Sequence, residues 1–154
     1  MKTRASKSMA LVLLCILLAL PAPALATPPE PLRIDAALWM MPDGTAQGYF
    51  STSGLFIDAG AASEVLVIHA DTVHGVKTLV GQHGTITISF QAGITWWSET
   101  TSEAVGRFVI ASGTGAYERL HGVGETVATL DLGCFGETCP PNIVATYTGR
   151  AHFD

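Results

Sequence analysis

The side chains with chemistry to offer in this chain are five histidines, thirteen carboxylates and a close pair of cysteines. A metal would draw on His69, His74, His83, His121 and His152. None of them stands in His-x-His or His-x-x-x-His, the spacings that put two imidazoles on one side of a strand or helix. His69 and His74 flank a predicted turn, where spacing neither demands nor excludes a shared site. The sequence therefore implies no metal site and no cofactor. The nucleophile signatures G-x-S-x-G and S-x-x-K are not found in the sequence, and thirteen carboxylates are too many for an acid pair to be assigned by counting. Gly113-Thr-Gly115 is not a dinucleotide loop, because the third glycine of that fingerprint is replaced by Glu118 and no βαβ context surrounds it.

Aromatic residues are the better candidates for a binding surface. Trp39, Phe90, Trp96, Phe108 and Tyr147 are expected to point into one interior. There they would either fill a core or line a cavity for a small apolar molecule. The discriminating feature is polarity: a Glu, His or Tyr among aromatics would favour an enzyme, and a wholly apolar cavity would favour binding.

The elements that must position them repeat with a period of two. Between His83 and Trp96, Ile86, Ile88, Phe90, Ala92, Ile94 and Trp96 share one face, while Thr, Ser, Gln and Gly occupy the other. This alternation predicts a half-buried strand. Ile143 to Phe153 repeats it, and weaker runs cover 34–40, 47–57, 64–70, 73–80, 103–112 and 125–132. The pattern predicts an all-β domain, a single antiparallel barrel of about eight strands. Glu64-Val-Leu-Val-Ile-His69 is apolar on both faces, which predicts a strand covered on both sides, by a second copy or an overlying segment. The one candidate helical turn, Ala116 to Leu120, is fenced by Gly113, Gly115, Gly122 and Gly124. With Tyr117 and Leu120 on its apolar side, it is expected to form a structural corner at a barrel end.

The chain begins with Lys2, Arg4 and Lys7, then an uncharged Leu-rich run from Met9 to Leu20 and an Ala24-Leu25-Ala26 end. Those are the three parts of a secretory signal peptide, which assigns residues 1–26 to export and places the remainder in the periplasm or outside the cell. Residues 27–32, rich in proline, are expected to form an extended lead-in, and 33–154 the barrel domain. Beyond residue 26 five Lys and Arg face thirteen acids, a net charge of −8. That balance excludes nucleic acid as a partner, and no apolar stretch beyond residue 26 is long enough to span a membrane as a helix. In an exported chain, Cys134 and Cys139 are expected to form a disulfide pinning the loop ahead of Pro140-Pro141.

The segment Gly84-Thr-Ile-Thr-Ile88, followed by Gly106-Arg-Phe-Val-Ile-Ala-Ser-Gly-Thr-Gly-Ala-Tyr-Glu-Arg-Leu-His-Gly-Val-Gly124, resembles the barrel domains related to allene oxide cyclases and dirigent proteins. In that group a strand ends in SGTGAY, a short turn with a leucine follows, and G-x-G opens the next strand. The resemblance covers mainly 83–153. It implies a barrel whose plant members are trimeric, cofactor-free isomerases acting on a fatty-acid-derived epoxide in an apolar cavity. No catalytic position is carried over to this chain. The leading expectation is an exported module that binds a small apolar molecule, with a homo-oligomer as a further partner. The alternatives are a cofactor-free isomerase or cyclase acting on a hydrophobic, fatty-acid-derived substrate, and a structural secreted protein with a filled core.

Overall fold

The structure, a computed structural model, describes residues 27–134 and 138–154. The expected signal peptide at 1–26 lies outside the described residues. Eight strands run up and down in chain order: β1 (Glu30–Met40), β2 (Thr45–Gly54), β3 (Ala59–His69), β4 (Thr72–Gly81), β5 (Thr85–Trp96), β6 (Thr101–Gly113), β7 (Leu120–Asp131) and β8 (Ile143–Phe153). Each pairs antiparallel with the next, and β1 returns to β8 to close the barrel. Closure leaves no unpaired sheet edge.

Alternation sets the inside of the barrel. Leu32, Ile34, Ala36 and Leu38 of β1, Ile86 and Ile88 of β5, and Ala145, Tyr147 and Ala151 of β8 are all buried. A single bulge adjusts this phase. Thr87 pairs with Ser112 but Ile88 pairs with Ile110, so Ala111 is the extra residue on β6. Beyond the bulge Phe108 and Ile110 face inward, while Gly113, across from Ile86, takes the inward position on the other side. A Cβ on Gly113 would collide with the Tyr117 carbonyl. Glycine there lets the chain fold a single 3₁₀ turn, Gly115–Tyr117, across the barrel end. Gly115 takes φ +62°, a conformation glycine adopts without steric cost.

The expected corner is therefore where the sequence placed it, with Tyr117 and Leu120 both buried. Tyr117 packs against Phe56 at 4.8 Å between ring centres, and Phe153 lies 6.5 Å from Phe56. Beneath this plug the Tyr117 hydroxyl donates to Asp58 Oδ2 at 2.6 Å. The same carboxylate accepts the backbone N–H groups of Ala59 at 2.8 Å, Gln82 at 3.0 Å and His83 at 3.4 Å. Asp58 thus ties β2–β3 and β4–β5 connections to the corner and shuts this end.

The strand boundaries differ from expectation at the start. Glu30, Pro31 and Leu32 already pair with Ala151, Arg150 and Gly149 of β8, so they belong to the barrel and not to a free lead-in. Proline lacks an N–H, but its carbonyl still bonds, accepting the Leu55 N–H at 2.8 Å. Val65 and Val67 form the outer face of β3 and are exposed, so no described segment of the same chain overlies that face.

Burial works against ionisation of Asp58, but the Tyr117 hydroxyl and the three N–H donors outweigh it and hold the carboxyl below its usual range. A depressed folded-state pKa gives stability that is present above the unfolded value and lost as pH falls through the folded one. Tyr117→Phe is expected to lower stability by about 1.5–3 kcal/mol at neutral pH, the worth of a hydrogen bond to a charged acceptor. Urea unfolding of the wild type and the variant at pH 7 and below pH 3 checks this, with the difference shrinking at the acid end.

Candidate functional site

The two ends of the barrel are filled differently. Past the waist, toward the β1–β2, β3–β4, β5–β6 and β7–β8 connections, the inward positions of β5 to β8 carry small side chains: Ala92, Ser102, Ala104, Thr126, Ala128 and Ala145. The result is a cavity of about 50 Å³ whose apolar walls also include Leu66, Ile94 and Leu130. Phe90 and Tyr147 form part of its lining, with ring centres 6.3 Å apart in an edge-on arrangement.

Polar groups converge at the cavity floor. Glu64 lines it and is only 4% exposed. It stands directly across the β3–β4 ladder from Lys77, 0% exposed, and the two form an ion pair. Beyond that mutual contact, neither Glu64 Oε2 nor Lys77 Nζ has a hydrogen-bond partner among the described residues. The ammonium sits 5.2 Å from the centre of the Tyr147 ring, a cation–π arrangement. Burial lowers the Lys77 pKa, and the Glu64 charge only partly opposes that. Burial, helped by the same negative charge, pushes the Tyr147 hydroxyl well above its ordinary value, so it stays protonated. Thr126, across the β7–β8 ladder from Tyr147, sets a buried hydroxyl beside the phenol and opposes part of that rise.

The five aromatic candidates do not gather in one place. Phe90 and Tyr147 line the cavity. Phe108 is buried beneath it, edge-on to Tyr147 at 5.3 Å, and holds that ring in position. Trp96 has the inward phase, but it is the last residue of β5 and overshoots the wall, so it stands 43% exposed at the rim. Trp39 is corrected outright. Leu38 takes the inward position, and Trp39 lies on the outer surface beside Tyr49, its indole N–H donating to the Cys139 carbonyl at 2.9 Å. It clamps the loop closed by the Cys134–Cys139 disulfide. Asn142 holds the same loop from within, its amide nitrogen donating to the Cys134 carbonyl at 2.7 Å.

Glu64, Lys77, Ser102 and Thr126 were not sequence candidates. One signal marks Lys77: it is the sole lysine beyond residue 26 and stands in phase with Val73 and Leu79. Of the histidines, His121 and His152 stack across β7–β8 with ring centres 5.7 Å apart, and both contact Asp154. Among the described residues no group of three or more His, Cys, Asp and Glu is arranged to hold a metal.

Architecture and site together define a closed, eight-stranded antiparallel barrel, plugged at one end and hollow at the other. Comparison of the chain with protein-family models, curated proteins and solved structures gives no match in any of the three.

Removing one member of a buried ion pair strands the other charge. Glu64→Gln or Lys77→Met alone is expected to cost about 3–5 kcal/mol, whereas Glu64→Leu combined with Lys77→Met should be near neutral or stabilising. Denaturant unfolding of the three variants tests the coupling. Additive losses would mean that the two groups act independently.

Proposed function

We propose that this protein is an exported binding module that takes a small apolar molecule into the open end of the barrel. The observation that carries the reading is the contrast between a packed, hydrogen-bonded end and a hollow one within a single core. Glu64 and Tyr147 are the polar groups that would favour an enzyme, but Glu64 is already paired with Lys77 and most of the remaining lining is apolar. A volume near 50 Å³ admits about four ligand atoms, judged by the space one water needs. The narrow tip of an alkyl chain or the edge of a ring fits, and the rest of the ligand stays at the rim. Export is supported by the signal-peptide pattern of residues 1–26 and by the disulfide, a bond that persists in oxidising compartments. We also place the chain with the allene oxide cyclase-like barrels. In support, the SGTGAY segment closes β6 and makes the 3₁₀ turn, and Gly122-x-Gly124 opens β7.

Native mass spectrometry of protein purified from its own host is expected to show a co-purifying apolar ligand. Ala104→Leu with Ala128→Leu, which fills the cavity, should abolish both that ligand and binding of an octanol probe. Absence of a ligand from the host protein, together with no octanol binding, overturns the reading. The same spectrum tests the expected homo-oligomer.

A second reading, a cofactor-free isomerase, draws on one observation: a carboxylate and a protonated phenol face the same apolar space. Glu64 would take a proton from a carbon acid and Tyr147 would donate a hydrogen bond to the developing oxyanion. In D₂O, deuterium exchange into the carbon next to the carbonyl of octan-2-one should then be accelerated. Glu64→Gln should lose that acceleration. No acceleration by the wild type removes this second reading and leaves the first standing.

A further inference from the structure

Among the described residues, acidic side chains stand in three of the open end's four connections and at the strand end that leads into the fourth. Asp43 lies between β1 and β2, Asp71 between β3 and β4, Glu99 between β5 and β6, and Asp131 ends β7. All four are exposed. The cations are elsewhere. Lys77 is buried, Arg33 is held by Asp35 at 2.7 Å, and Arg119 and Arg150 belong to the plugged end. Arg107 sits on the outer wall across from Gln91 and Glu125, six residues along β6 from the rim, or about 20 Å at strand rise. The nearest basic side chains to the rim are His69 and His74. No Lys or Arg stands at this mouth among the described residues.

The same rim presents Trp96 at 43% and Trp97 at 61% exposure, on the hairpin that carries Glu99. Below it, buried Thr126 lines the cavity beside Tyr147. A ligand whose tip occupies the cavity must leave its other end among these groups. Carboxylates around a mouth with low-dielectric walls focus a negative potential on it, and exposed indoles attract cations through their faces.

We infer that the ligand is a cationic amphiphile, an apolar chain or ring carrying an amine or quaternary ammonium, and that the mouth rejects carboxylate ligands of the same shape. This rests on the cavity being a binding site, as proposed above. It departs from what the resemblance alone implies, because a fatty-acid-derived substrate brings an anion to this rim.

Three probes with one chain separate the outcomes: octylammonium, octanol and octanoate, titrated at pH 8 by calorimetry and tryptophan emission. At that pH an alkylamine is charged. Octylammonium is expected to bind about three- to tenfold tighter than octanol, and octanoate correspondingly weaker. The spread should collapse at 1 M salt, where the screening length is about 3 Å. Asp71→Asn with Glu99→Gln should cut the cation preference at least by half and leave octanol affinity unchanged. These two are chosen because Asp43 and Asp131 each accept a backbone N–H of their own turn. Octanol binding with no preference for the cation overturns this inference alone. Failure of all three probes overturns the binding reading beneath it as well. A preference undiminished in the folded double variant overturns the assignment to the rim carboxylates.

Discussion

The ion pair between Glu64 and Lys77 decides how the inside of this barrel is divided. Moving either charge out of water costs several kcal/mol even after the protein relaxes, so neither can remain at the waist without the other. Their meeting depends on the β3–β4 register, which sets them directly across the ladder. A slip of one residue would turn each to the opposite face and leave valines pointing in. The pair therefore acts as a register mark as well as a contact. Tyr147 gives the ammonium an aromatic face, and Phe108 and Phe90 meet that ring edge-on and fix its tilt.

Stability alone does not account for such a pair, since apolar side chains of similar volume commonly replace one at no loss. What it does provide is a polar floor beneath an apolar hollow. The plugged end solves the opposite problem. There the buried carboxylate of Asp58 receives its donors from the backbone and from Tyr117, so it needs no neighbouring cation. One barrel thus holds two buried acids by different physics. One is satisfied by hydrogen bonds and closes the fold, and the other is satisfied by charge and faces a cavity.

The strands and the corner were legible because a period of two needs no knowledge of neighbours. His83 to Trp96 announces its inner face by itself, and so does Ile143 to Phe153. The site was harder to read because it breaks that pattern. Glu64 and Lys77 occupy inward positions that the alternation reserves for apolar residues, and only the closed ladder brings them together. In β3, both faces of Glu64 to His69 look buriable, and it is the barrel's curvature that chooses Leu66 over Val65 and Val67. Aromatic size points Trp39 and Trp96 inward. For Trp39 the phase of β1 overrules size, and for Trp96 the length of β5 does. The cavity itself is written in small residues, and a run such as Ser102-x-Ala104 reads on its own as ordinary strand filler.

Those small residues bear on what the barrel is for. A void of about 50 Å³ forgoes about 1 kcal/mol of packing, at the rate measured for cavities in protein cores. Leucine or valine at Ala104 or Ala128 would recover part of it, with room already present. A barrel whose sole task was to stand folded would gain from such filling. The plugged end shows that this chain packs tightly where closure is required, with Phe56 set between Tyr117 and Phe153. The hollow thus sits at the one end that combines an open rim, exposed indoles and a described carboxylate in or beside each connection. A filled structural core explains the first half of the molecule and leaves that coincidence unexplained, whereas the proposed ligand, entering tip-first, would account for both halves.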